Sequence, residues 1–160
     1  MKVYHGGSVE VTAPLVEVGR PNLDFGRGFY VTDILPQAKS WAEKVALRKH
    51  DLPIINVYEF DYSEVVKKCS YKRFYAYDDE WLEFIVSNRK GGKEWRKFDV
   101  IEGGVADDRV VDTIEAYISG MATKDWALQR LKTYAPNNQI CITNQEVVQK
   151  YLKFLKSYNP

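Results

Sequence analysis

The chain has 160 residues, enough for one domain with a real core but too few for two self-sufficient halves. Hydrophobic residues make up 45% and charged ones 28%, and the formal net charge is +1, which excludes the broadly basic footprint of a dedicated nucleic-acid binder. Two Cys and two His exclude a structural zinc site and a disulfide framework, leaving two thiols of a reducing compartment.

Lys2–His5 reads as a short first strand that stops at Gly6-Gly7. No apolar segment follows Lys2, and no apolar run is long enough to span a bilayer, so a cytoplasmic protein with no membrane partner is expected. Residues 9–24 carry Pro14 and Pro21 and read as irregular. Phe25–Thr32 opens on glycines and ends in aromatic and β-branched residues, as a turn feeding a strand does. Asp33 is placed to cap the helix that follows, with Pro36 in its first turn. Ala38, Trp41, Ala42, Val45 and Ala46 then fall at helical spacing through Lys49.

Ile54–Phe60 predicts a strand, and Asp79–Asn88 a helix with Trp81, Phe84 and Ile85 on its apolar stripe after an acidic start. Phe98–Glu102 predicts a short strand closed by Gly103-Gly104. Val111–Gly120 and Lys124–Tyr134 predict two helices, Asn138–Thr143 a strand, and Glu146–Leu155 a C-terminal helix. Strands and helices mix without regular alternation, which favours a single α+β domain over residues 1–160 rather than a doubly wound sheet.

Two segments carry the chemistry. Tyr4-His5-Gly6-Gly7-Ser8 places an imidazole at a strand end beside glycines, where a ligand can approach the backbone. Gly26-Arg27-Gly28-Phe29-Tyr30-Val31-Thr32-Asp33 follows a tight turn with aromatic faces. Each segment alone is a weak signal; a lone His beside glycines is more often structural. Their joint occurrence, with Trp41 eleven residues after Tyr30, is the stronger one. The basic stretch Arg89–Lys97 reads as an exposed loop, with Trp95 between its charges as a stacking face for a nucleic acid. His50, in a polar loop, reads as solvated.

These two segments resemble the His-Gly-Ser/Thr and Gly-Lys-Gly-Ile-Tyr-Phe-Ala-Asp motifs of the diphtheria-toxin and poly(ADP-ribose) polymerase branch of the ADP-ribosyltransferases. The whole chain more closely resembles the bacterial family built on domain of unknown function 3990, with its Tyr-His-Gly start and Asp-Phe-Gly-x-Gly-Phe-Tyr motif. The resemblance implies an ADP-ribosyltransferase-like fold of split mixed and antiparallel β-sheets with flanking helices. It implies NAD as substrate, no metal, and a macromolecular acceptor, protein or nucleic acid. The family's company implies a toxin of a toxin–antitoxin or phage-defence pair, with an antitoxin protein as partner.

Residue by residue, the resemblance gives His5 the ribose of the nicotinamide half and Gly6 the carboxamide, through its N–H and C=O. Gly28 gives close backbone approach. Tyr30 and Trp41 sandwich the pyridinium, worth about 0.5–2 kcal/mol per face. Ala38 stands where polymerases carry a carboxamide-binding Ser, with Ser40 or a backbone group in compensation. Asn138–Ile142 is similar to the strand that bears the family's catalytic Glu, but Gln139 occupies that position. An amide can bond ribose hydroxyls yet supplies neither charge nor base. His5, Tyr30 and Gln139 are thus the expected catalytic set, with single transfer rather than polymer synthesis. The alternative is an NAD- or ADP-ribose-binding module without turnover. Glu80, Arg89, Asp99, Asp107, Asp108 and Arg109 form a further cluster from which a carboxylate could replace the missing Glu. Glu146, the nearest downstream acid, lies on a poorly placed helix face.

Overall fold

The computed structural model describes residues 1–160. The chain is α+β, with six helices and seven strands in two sheets. β1 (Lys2–Gly7), β3 (Ile54–Phe60) and β7 (Leu152–Tyr158) form an antiparallel sheet in the order β1-β3-β7. β2 (Phe29–Val31), β6 (Gln139–Ile142), β5 (Val100–Gly103) and β4 (Tyr71–Arg73) form the other, in the order β2-β6-β5-β4, with β4 parallel to β5.

The strand period of two sorts the side chains into layers. Ile55 and Val57 of β3 point outward and bury Ala38 and Ala42 of α1 (Leu35–Lys49). Val3, Tyr58 and Phe60 point the other way, against Phe29, Val31, Val100, Ile140 and Ile142 of the second sheet. That inter-sheet core is closed at its end by α2 (Tyr62–Lys68) and α6 (Gln145–Tyr151), through Val65, Val147 and Val148. The outer face of the second sheet, Ile101 and Cys141, packs on α3 (Asp79–Arg89), α4 (Val111–Ile118) and α5 (Lys124–Leu131), through Trp81, Ile85, Ile114 and Leu131.

Most expected elements occur within a few residues of their predicted bounds, and three points differ. The C-terminal helix ends at Tyr151 and gives way to β7, which pairs with the free edge of β3 from Ile55 to Phe60. Leu152 and Leu155 continue the helical pattern of Val147, Val148 and Tyr151. Pairing with an otherwise bare edge outweighs that local periodicity. Residues 61–78, without a predicted element, hold α2 and β4. Asp33 is not the cap of α1: its carboxylate accepts from the Asn138 side chain at 2.9 Å. Ile34 holds the cap position, and its N–H is met by the Thr32 hydroxyl at 3.0 Å.

Candidate functional site

The two sheets are tied edge to edge by one bridge, in which the N–H and C=O of Tyr4 both pair with Thr32. Past the bridge the strands part. Antiparallel alternation turns the N–H and C=O of Gly6 to this same edge, opposite Tyr30. The Tyr30 carbonyl does not take the Gly6 N–H; it accepts from Nδ1 of His5 at 2.8 Å. The imidazole therefore wedges the strands apart, stacked on Phe29 with ring centroids 4.7 Å apart. The Gly6 amide pair is left facing the gap.

The gap is the mouth of a cavity of about 970 Å³. His5, Gly6, Gly28, Tyr30, Ala38, Ser40, Trp41 and Gln139 all line it, so every residue of the sequence-derived constellation converges on one space. That volume sits at the upper end for small-molecule sites.

Local packing explains each position. Gly6 lies on α1 so closely that a Cβ there would run into the backbone carbonyl of Ala38. Ala38 is itself buried beneath it, so its part is to bring the helix onto the strand, with no hydroxyl for a carboxamide. Gly28 is required by β6: a Cβ there would stand 2.6 Å from the Cys141 sulfur and from the Ile142 carbonyl oxygen. The Tyr30 hydroxyl donates to the Gly26 carbonyl at 2.7 Å and accepts from the Phe25 N–H at 3.1 Å. Burial holds this phenol well above its ordinary pKa. Tyr30 therefore offers a ring and not an acid or base. Trp41 is 40% exposed, with the Arg48 guanidinium 5.5 Å from its ring centroid.

Burial, partly offset by the Tyr30 carbonyl, lowers the pKa of His5. A neutral ring donating from Nδ1 leaves Nε2 as an acceptor, suited to a hydroxyl. Gln139 opens β6 opposite Gly103. Its neighbour Asn138 is held from three sides. The Asn138 carbonyl accepts from the Thr32 hydroxyl at 2.7 Å and from Gln37 at 3.0 Å. Its side-chain amide donates to Asp33 and, at 3.0 Å, to Glu102. Glu102 lies on the same face of the sheet as Asn138, opposite to that of Gln139, buried with the hydroxyls of Tyr62 and Tyr71, and desolvation raises its pKa.

The acidic and basic cluster divides. Arg89, Asp107, Asp108 and Arg109 line the cavity. Glu80 pairs with Lys72 on the surface, and Asp99 accepts from Ser70 N–H and the Asn144 side chain, both away from it. Glu146 is exposed in the first turn of α6. Each cavity carboxylate is already engaged: Asp107 with Arg109, Asp108 with Lys44, and Asp24 with Arg89 at 2.7 Å. The Arg109 and Asn137 bonds hold Asp107 below the usual carboxylate range against its desolvation. No cavity carboxylate stands without a cationic partner.

Sequence reasoning missed one wall, the segment 11–23, which contributes Val11, Leu15, Val18 and Arg20; the segment 105–109, of which Asp107, Asp108 and Arg109 belong to the cluster named above, lines the cavity too. Asp24 ties these together, accepting the Ala106 N–H at 2.7 Å, while Asn137 accepts the Val105 N–H at 2.8 Å. The first residue of the Asp-Phe-Gly motif was the available signal. No three His, Cys, Asp or Glu side chains group to ligate a metal, and no helix is long and apolar enough to cross a membrane.

A family model described as protein of unknown function (DUF3990) matches residues 1–154, and the chain belongs to that family. None of the curated proteins and none of the solved structures compared with the chain matches it.

Proposed function

We propose that this member of the DUF3990 family binds NAD in the cavity between its sheets and transfers one ADP-ribose unit to a macromolecular acceptor. The observation that carries the reading is the parting of β1 from β2, which leaves the Gly6 amide pair facing a cavity that His5, Tyr30 and Trp41 also line. A carboxamide presents an N–H donor beside a C=O acceptor, so a strand edge with both groups free is complementary to nicotinamide. On this reading the two sheets are the split sheet of an ADP-ribosyltransferase.

The rings favour the cationic pyridinium over neutral nicotinamide. When the C1′–N bond breaks, the electron pair leaves with nicotinamide and the positive charge passes to the ribose. An acceptor oxygen or nitrogen bonds C1′, and its proton passes to water. His5 Nε2 and the Gln139 amide hold ribose hydroxyls, so that catalysis rests on positioning. With Gln139 no negative charge faces the developing oxocarbenium, which favours slow, single transfer.

The test is release of nicotinamide and of labelled ADP-ribose into acid-insoluble material when the protein meets NAD and cell extract. Wild type is expected to do both, and His5→Ala with Tyr30→Ala to do neither. Wild-type levels no higher than the double variant's would sink the enzymatic reading. Gln139 favours a second reading, a module that binds NAD without turnover; saturable binding without nicotinamide release would select it.

A further inference from the structure

The basic stretch after α3 does not stand alone. The ring of Trp95 packs directly on Gly26, whose φ of +78° leaves no room for a side chain there. Gly91 lies beside Asn22. These contacts set segment 89–98 against segment 19–28, which runs into the cavity wall. Together the two hold seven cations and two carboxylates, in a chain whose total excess is a single positive charge. Both carboxylates are already paired, Asp24 with Arg89 and Glu94 with Lys97 at 2.5 Å. Arg20, Arg27, Lys90, Lys93 and Arg96 are exposed and have no carboxylate partner. Arg20 and Arg89 also line the cavity, so this positive surface is continuous with its wall. It ends on one side at Glu115, which shares a small hollow with Asn22 and Arg89.

We infer that this surface docks a nucleic acid as the acceptor, an inference that rests on NAD-dependent transfer in the adjoining cavity. A run of unpaired cations beside the site fits a regularly charged chain, and phosphates supply that charge most densely. The structure also defines the mode. Trp95 gives one face to Gly26 and has the Arg96 guanidinium 5.2 Å from its ring centroid, so it offers no platform for a base. Recognition is through phosphates, without base stacking and without strong sequence preference.

The test uses the full chain with labelled, mixed-sequence 20-nucleotide single-stranded RNA and DNA, followed by anisotropy across a salt series. Wild type should bind both, with log affinity falling linearly in log salt. Lys90→Glu, Lys93→Glu and Arg96→Glu together should weaken binding at least tenfold and flatten the salt slope by about 2–3. NAD affinity and melting temperature should not change, and Lys93→Gln with Arg96→Gln provides a milder variant should the triple one fail to fold. Absence of wild-type binding, or binding indifferent to these variants, overturns the inference. So does poly-glutamate binding as tightly as the oligonucleotides, which would assign the surface to an acidic protein. Loss of NAD binding by wild type would instead remove the reading beneath it.

Discussion

At the scale of single residues, His5 does two things with one ring. Its Nδ1–H takes the carbonyl that a paired strand would have used, which leaves Nε2 as an acceptor on a residue that lines the cavity. Because burial lowers its pKa, the folded state binds fewer protons than the unfolded one. Stability from neutral His5 is therefore full above the unfolded value, about 6.5, and declines as pH falls through the window below it. NAD affinity should hold through that window and fall only below it, where the folded imidazole itself protonates and the Nε2 acceptor is lost. A titration at pH 5 to 8 with calorimetric binding checks this; an affinity that already falls at the ordinary histidine value, about 6.5, would contradict the lowered pKa. Gly6 allows a sharper test. Gly6→Ala forces a Cβ into the Ala38 carbonyl and should cost about 1–3 kcal/mol, read from urea midpoints. The motif residues were legible because each lies within a few positions of its neighbours in sequence. What the sequence did not show is their packing: Gly28 lies against β6 and Ala38 against Gly6.

At the scale of elements, β6 matters through its first residues. Asn138 fixes the start of the strand by bonds to β2, α1 and Glu102, and so aims Gln139. Asn138→Ala removes the amide donor from one Glu102 oxygen and from Asp33, and should cost about 1–3 kcal/mol in chemical denaturation, with weaker NAD binding besides. Glu102 has the opposite linkage to His5. Its raised pKa means the folded state holds the proton longer, so its contribution to stability is lost as pH rises above the ordinary carboxylate range. Glu102→Gln should flatten that part of the stability–pH curve, which melting temperatures across pH 4 to 7 would reveal. The long amphipathic elements were readable because their own periodicity decides them. β7 was not, because its residues suit a helix as well and the choice is made by the bare edge of β3. β4 is three residues long and exists only as the parallel partner of β5.

At the scale of the whole molecule, the site depends on contacts between distant segments. Asp24 joins the Arg89 guanidinium of α3 to the backbone of Ala106, a span of 82 positions, and is nearly buried. Apart from the motif position of Asp24, such closure leaves no pattern in the sequence, which is why the 11–23 wall was not legible although the motif residues were. Asp24→Ala leaves a half-buried guanidinium and an amide without partners. About 3 kcal/mol of stability should be lost, measurable by thermal unfolding, and the 105–109 wall should loosen. The central claim is that the parted strand edge and its two rings receive NAD. Calorimetric titration with NAD tests it most directly, comparing wild type with Trp41→Ala, an exposed change that leaves the core intact. The account predicts saturable one-to-one binding by wild type and at least a fivefold loss in the variant. No binding by wild type, or equal binding by both, would contradict it.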